Sequence, residues 1–259
     1  MRVVKFSSKQ HNFTRSRSLR LHTLNWYRET ENAEIKDAGE GTFRIRLQFL
    51  ERVRLSRASA SALLQGASFF GSDPRYLVPG NVTALLDTLQ FKVERDHVVF
   101  ERAGCDLFYQ PPNGFVFCAA MSEAENAMQE NGFEGYDDFW IVGRNEGELT
   151  VFCDGVARRL EAQFHPDLAH PIQNVVPRDR MRNIRVEWRR AKIAYGERVW
   201  RVTGQVPDDP SYFCQAYLKV PFIKPERYRH ENEYSFAFTY VSEGMVIPVE
   251  TPFIDLDFK

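Results

Sequence analysis

The strongest constraint on the fold is an uninterrupted apolar run at residues 115–121 (FVFCAAM), which Asn113 and Gly114 precede and Ser122 follows. A strand with one face in water alternates apolar with polar residues, whereas a run without alternation has apolar neighbours on both faces. The run therefore predicts a central strand of a sheet that is covered above and below.

Other segments predict the remaining elements. Four of them alternate apolar with polar residues in the period-two pattern of a half-buried strand: residues 18–24, 43–49, 184–189 and 234–241. Residues 149–152 and 214–220 also indicate strands. Alanine, leucine or capping residues indicate short helices at residues 58–70, 79–89 and 154–164. The pattern predicts an α+β fold, mainly antiparallel sheet with short helices, and one domain over residues 1–259 because no linker or repeat interrupts it.

Composition excludes several classes of protein. The four cysteines are far apart and lack the Cys-x-x-Cys spacing of zinc fingers, so we expect free thiols and no metal. Residues 1–6 are too polar for a signal peptide, and no run of about 18 apolar residues could span a membrane. A net charge of −1 argues against a protein that coats a polyanion such as nucleic acid through overall positive charge. We expect a cytoplasmic protein.

Two glutamates, Glu231 and Glu233, stand one residue apart where a charged segment enters the strand at 234–241. In an extended segment residues i and i+2 point to the same face, so both carboxylates would project together. Like charges on one face are costly to bury, which points to a site that uses negative charge. The alternative is a solvated strand edge.

A basic stretch at residues 178–192 contains the second candidate site. Its arginines include Arg182, Arg185 and Arg189, and Trp188 lies among them. Guanidinium groups bind phosphates and aromatic rings stack on unpaired bases, so these arginines are predicted to bind nucleic acid. A solvated strand face is the alternative.

Three segments, in this order, resemble the ADP-ribosyltransferase superfamily. An early strand carries Arg20 and His22 and is followed by Tyr27, the strand at 115–121 ends at Ser122, and Glu231-Asn232-Glu233 opens a late strand. Sites of that superfamily take Arg or His from an early strand, Ser, Thr or Tyr from a middle one, and Glu from a late one.

The segment from Lys224-Pro225 to Tyr234 is similar to one sub-pattern, that of DUF2971-like bacterial proteins. Some of their relatives look like toxins of phage-defence toxin–antitoxin systems. One of these toxins ADP-ribosylates messenger RNA and is paired with a chaperone. Residues 119–122 read Ala-Ala-Met-Ser, in place of the Ser-Thr-Ser run of many such toxins.

The resemblance implies a split-sheet core, NAD as the substrate and a role for each motif residue. Glu233 would stabilise the positive charge that develops on the ribose when the nicotinamide bond breaks, and Glu231 would act as general base on the acceptor. The implied NAD contacts are a phosphate or ribose group for Arg20 or His22, the nicotinamide for Tyr27, and the ribose for Ser122.

Two classes of function follow. The first is a mono-ADP-ribosyltransferase that modifies a macromolecular acceptor, with RNA as one acceptor, acts as a toxin in phage defence and is held by an antitoxin protein. The second is a non-catalytic module on the same fold that binds nucleic acid or a partner protein through its arginines. A nuclease toxin is a third and weaker alternative.

Overall fold

The computed structural model describes residues 2–30, 39, 41–65, 78–122, 136–165, 168 and 183–259. The chain divides into two compact units, each with its own sheet and core. The first comprises Met1–Glu40, Pro112–Tyr195 and Lys224–Lys259, and the second comprises Gly41–Pro111 and Gly196–Ile223. The single domain over residues 1–259 stays a prediction.

The structure contains mainly antiparallel strands and a few short helices, as predicted for an α+β fold. In chain order the strands are β1 (Arg2–Ser7), β2 (Ser18–Thr23), β3 (Phe43–Phe49), β4 (Val53–Ser56), β5 (Asn81–Val93), β6 (His97–Gln110), β7 (Phe115–Ser122), β8 (Asp138–Gly143), β9 (Arg185–Lys192), β10 (Ala194–Tyr195), β11 (Val199–Thr203), β12 (Ile223–Lys224), β13 (Glu233–Ser242), β14 (Met245–Ile247) and β15 (Phe253–Asp257). The helices are α1 (Phe13–Ser16), α2 (Leu24–Glu29), α3 (Arg57–Leu64), α4 (Glu146–Ala162) and α5 (Pro210–Leu218), with 3-10 turns at Lys9–His11, Val220–Phe222 and Glu226–Glu231.

Strand β7 is the centre of the sheet in the first unit. One of its edges pairs with β13, whose other edge pairs with β9. Its second edge takes β1 at Ala120–Ser122 and β2 at Phe115–Val116. No described strand pairs with residues 117–119 on that second edge, because β1 and β2 diverge there. The sheet is therefore split beside Cys118.

Helix α4 covers one face of this sheet. Its buried residues recur every three or four positions, at Leu149, Cys153, Val156, Ala157 and Leu160, and they pack in one cluster with the phenylalanines of β7 and β13. Burying each large apolar side chain is worth about 1.5–3 kcal/mol. Both faces of β7 are buried, as its apolar run predicted.

Two predictions for this region are wrong. Residues 149–152 belong to α4 and do not form a strand, and the helix does not begin at Asp154. Asn145 caps the helix instead, because its side chain accepts a hydrogen bond from the Glu148 N–H at 2.9 Å while the Glu148 carboxylate accepts one from the Asn145 amide. A four-residue apolar segment has no period of its own that separates helix from strand.

The second unit contains a five-stranded sheet in the order β11-β3-β6-β4, with β5 on the other edge of β6. The helix predicted at residues 79–89 is wrong: β5 pairs along its length with β6, the next strand of the chain, and this pairing outweighs local propensity. The strand predicted at 214–220 is also wrong, because α5 runs to Leu218 from an Asp209 cap with Pro210 in its first turn.

Candidate functional site

The two glutamates come together by a route that differs from the extended segment predicted from the sequence. Glu231 ends a 3-10 turn, Asn232 is left-handed with φ 42°, and Glu233 begins β13. Asparagine is one of the few residues that adopt this conformation readily. The Asn232 amide donates to the Met121 carbonyl at 2.8 Å, and the Met121 N–H donates to the Asn232 carbonyl at 2.7 Å. The turn is thus fastened to the end of β7.

Lys224 lies between the two carboxylates. Its Nζ is 2.5 Å from Glu233 Oε2 and 3.4 Å from Glu231 Oε2. The exposed fractions of the three side chains are only 13% for Lys224, 19% for Glu231 and 6% for Glu233. Sequence reasoning treated the glutamates as a repelling pair and missed this cation, although Lys224 belongs to the motif that carried the resemblance.

The surroundings give the two carboxyl groups different proton affinities. Burial opposes ionisation of Glu233, but the Lys224 charge and hydrogen bonding with Cys118, Lys224 and Glu231 outweigh it, so the pKa of Glu233 is lowered. Burial is also the largest influence on Glu231. Together with the Glu233 charge it exceeds the opposing effect of Lys224, so the pKa of Glu231 is raised. Such divergence is typical of carboxyl pairs that divide acid–base roles.

One oxygen of Glu233 is available to a ligand. Oε1 is buried and finds no hydrogen-bond partner among the described residues, while Oε2 contacts Lys224. A buried acceptor without a donor costs about 1–3 kcal/mol, so such atoms are rare unless something binds them. Oε1 can accept a hydrogen bond from a hydroxyl or amide group.

The split in the sheet brings further polar groups to Glu233. Lys5 Nζ donates to the Cys118 carbonyl at 2.7 Å, at the edge where β7 has no neighbouring strand. The Cys118 Sγ and Ser235 Oγ atoms lie 3.9 Å apart. The Tyr195 hydroxyl accepts a hydrogen bond from the Glu233 N–H at 2.7 Å. None of these residues was predicted, because each comes from a different part of the chain.

Tyr27, predicted to contact NAD, does belong to this cluster. Burial is the main cause that raises the pKa of its hydroxyl well above the ordinary value, and Cys118 and Glu233 raise it further. The phenol is therefore neutral at physiological pH, and it lies close to both the Cys118 and the Glu233 side chains. Helix α2, capped by the Thr23 side chain, positions it.

His22 lies on the same face of the sheet as Glu233 but further along it. His22 is opposite Val116 and Glu233 is opposite Ala120, a separation of about 13 Å at roughly 3.3 Å per residue. The ring stacks on Trp26 with centroids 3.8 Å apart. Burial, with smaller effects from the nearby cationic side chains, lowers the pKa of His22 to about 4. The imidazole is therefore neutral at pH 7.

Arg20 and Ser122 flank the site in different ways. The Arg20 guanidinium makes two hydrogen bonds of 2.8 Å with Asp255 and lies over the Phe253 ring. Asp255 uses Nε and one N–H of Nη2, so a phosphate would bind the remaining N–H groups or replace Asp255. Ser122 is buried and lies two residues beyond Ala120 on the Glu233 face, about 7 Å along the strand.

The predicted nucleic-acid residues lie partly within the described structure. Arg182 lies outside the described residues. Arg185 and Arg189 are exposed on the Glu233 face of the sheet, opposite Val241 and Ala237, and neither forms an ion pair with a described residue. Trp188 faces the other way, with its Nε1 donating to Asp154 at 3.0 Å. It packs against α4 and is not placed to stack on bases.

A separate pocket of about 800 Å³ is lined by Thr23, Asn25, Trp26, Glu29, Thr30, Glu250 and Pro252. Its size suits a small ligand, but the two glutamates of the site do not line it. Among the described residues, no group of three or more His, Cys, Asp or Glu side chains could hold a metal ion. In that same part of the chain, no helix is long and apolar enough to cross a membrane.

In comparisons with family models, curated proteins and solved structures, nothing matched the chain. The similarity to ADP-ribosyltransferases therefore rests on the motifs alone and stays a prediction.

Proposed function

We propose that this chain is an NAD-dependent mono-ADP-ribosyltransferase that modifies a macromolecular acceptor. One observation carries the proposal: Glu233 is a buried carboxylate with a lowered pKa and an unpartnered Oε1, at a split in the sheet. In the reaction the bond between nicotinamide N1 and ribose C1′ breaks and nicotinamide leaves with the electron pair. The acceptor bonds to C1′ and loses a proton.

Glu233 has the properties that the breaking bond requires. Positive charge develops on the ribose, and a fixed negative charge in a water-poor site stabilises it more than the same charge in water. Oε1 would accept a hydrogen bond from a ribose hydroxyl. Glu231, whose pKa is raised, would take the acceptor's proton, because a base acts best when its pKa lies close to the working pH.

The remaining predicted contacts keep their roles with two refinements. Neutral His22 would hydrogen-bond a ribose hydroxyl and would not neutralise a phosphate. Arg20 would bind a phosphate through the N–H groups that Asp255 does not use, or in exchange for Asp255. Tyr27 would stack on the nicotinamide, and Ser122 would contact the ribose.

RNA is the acceptor that we propose. Arg185 and Arg189 lie exposed on the same sheet face as Glu233, where they would bind phosphates beside the acceptor nucleotide. We further propose that the enzyme acts in the cytoplasm as a toxin in phage defence and that an antitoxin protein restrains it.

The same arginines support a second candidate, a non-catalytic module that binds nucleic acid or a partner protein through this face. It requires neither NAD nor the carboxylate pair. The two candidates therefore differ in whether nicotinamide is released.

The deciding experiment incubates the full chain with NAD labelled on its phosphates, together with separate RNA, DNA and lysate pools. We expect nicotinamide release that Glu233→Gln slows by about two to three orders of magnitude. Glu51→Gln, a change at an exposed glutamate, serves as the matched control and should react at the wild-type rate. A folded Glu233→Gln protein with the wild-type rate would contradict the role of Glu233. RNA binding without NAD cleavage by the wild type would favour the second candidate.

A further inference from the structure

Lys224 contacts both glutamates, but unequally. Its Nζ lies 2.5 Å from Glu233 Oε2 and 3.4 Å from Glu231 Oε2. A buried ion pair compensates for the loss of hydration only at close range. The shorter contact therefore favours a negative charge on Glu233 over one on Glu231.

Other titratable groups near the pair lie on β1, α2, β10 and β7. Lys5 on β1 is a second amine, but burial lowers its pKa, and its Nζ donates to a backbone carbonyl. Tyr27 on α2 and Tyr195 on β10 have raised pKa values, chiefly through burial, and stay neutral. The Cys118 thiol on β7 is a neighbour of Glu233 through hydrogen bonding.

We propose that Lys224 is a positioning residue that gives the two glutamates different tasks: it holds Glu233 as the permanent carboxylate and leaves Glu231 to take up and release the proton. Two carboxyl groups in contact share protons as a pair, and a cation bound closer to one of them decides which loses its proton first. Without Lys224, burial would favour the protonated form of both groups.

This role rests on the proposed function for the reaction that it serves, whereas the position of the proton can be measured without NAD. If Glu233 stays ionised, cleavage of NAD continues at pH values where Glu231 is protonated. Transfer to an acceptor requires Glu231 to be free of its proton. Lys224 would thus give NAD cleavage and transfer to the acceptor different pH dependences.

The direct test is a carbon-13 NMR titration of the glutamate side-chain carboxyl groups in the full chain. The signals of the pair are assigned with Glu231→Gln and Glu233→Gln. In the wild type we expect Glu233 to titrate below the ordinary glutamate range and Glu231 above it. Wild-type signals that both titrate at the ordinary value, or in the reverse order, would overturn the proposal even if no Lys224 variant folds.

The variants isolate the ammonium group. Lys224→Met keeps the apolar stem, and we expect it to raise the Glu233 midpoint by about one pH unit or more. Lys224→Arg should keep that midpoint low, and Lys219→Met, at an exposed lysine, should leave both midpoints unchanged. An unshifted Glu233 in folded Lys224→Met would overturn the proposal.

A kinetic measurement separates this proposal from the proposed function. If the wild type cleaves NAD, Lys224→Met should move the acid limb of the cleavage rate towards higher pH, and Lys224→Arg should restore it. If the wild type cleaves no NAD but its two glutamates titrate in the expected order, the proposed reaction fails. The role of Lys224 in keeping Glu233 ionised and Glu231 protonated is then still supported.

Discussion

The Tyr195 hydroxyl accepts a hydrogen bond from the backbone N–H of Glu233 at 2.7 Å, across 38 positions of sequence. The bond satisfies the first N–H of β13. It also fixes the backbone from which the Glu233 carboxylate projects, so Tyr195 supports the site through the main chain.

Tyr195→Phe should therefore weaken both the fold and the site. The change leaves a buried N–H without its acceptor, which costs about 1–3 kcal/mol of unfolding free energy. Urea denaturation measures the loss, and NAD cleavage should fall with it. Tyr212→Phe, at a partly exposed tyrosine, is the control and should change the stability by no more than about 0.5 kcal/mol. Equal stability of the two variants would argue against the structural role of the hydroxyl.

Glu231→Ala should separate transfer from hydrolysis. If Glu231 takes the proton of the acceptor, its loss blocks modification, while water can still attack the ribose that Glu233 stabilises. Nicotinamide release and acceptor labelling are measured in the same reaction. We expect labelling to fall at least tenfold further than nicotinamide release. Parallel loss of both would indicate that Glu231 supports NAD cleavage or the fold.

His22 should make the protein less stable in acid. The pKa of His22 is about 4 in the folded protein, against the ordinary histidine value of 6.5 that applies to the unfolded chain. Between these values the unfolded chain binds more protons than the folded one. The contribution of His22 to the unfolding free energy is therefore complete above pH 6.5 and is lost as the pH falls towards 4. Because solvent screens this half-buried ring, the His22 contribution between pH 7 and pH 4.5 should be about 1–2 kcal/mol.

His22→Gln removes this titration and should flatten the corresponding part of the stability profile. His11→Gln, at an exposed histidine, provides the control and should keep the wild-type slope. The unfolding free energy of the wild type and both variants is measured by chemical denaturation at several pH values. A wild-type slope in His22→Gln would show that another group causes the loss of stability in acid.

The double change Arg185→Ala with Arg189→Ala should weaken RNA modification and leave NAD hydrolysis intact. Each lost phosphate contact should reduce the log–log salt slope of RNA binding by about 0.7 for a single strand. The control is Arg144→Ala with Arg158→Ala, which removes the same charge from exposed arginines at α4. If both double variants lose affinity equally, net charge and not the arginine face governs binding.

The sequence could predict the elements with a distinctive local pattern, which is either a sustained alternation or an apolar run bounded by polar and turn residues. The seven-residue run in β7, the alternation in β3 and the arginine face of β9 are all found where they were predicted. Short apolar segments were assigned wrongly, because four to seven residues fit either period. The long strand β5 was missed because its pairing with β6, and not its composition, makes it a strand.

For the site, the sequence identified both glutamates but not their environment. Lys5, Cys118, Tyr195 and Lys224 surround Glu233 from four separate segments, and only the strand pairing shows that they meet. The two carboxylates lie together, as predicted, but the extended segment that was to bring them together is absent. A left-handed asparagine, and not the alternation of a strand, brings the carboxylates together.

The position of β7 has a consequence for synthesis of the protein. The strands of its split edge are translated before it, but 111 positions separate Met121 from its partner Asn232 on the other side. A nascent chain that still lacks β13 carries Lys5 and Cys118 but not Glu233, and one edge of β7 remains open to wrong pairing. Until β13 is translated, the unit can neither close that edge of β7 nor position the Glu233 carboxylate, so the sheet and the site are completed in the same step.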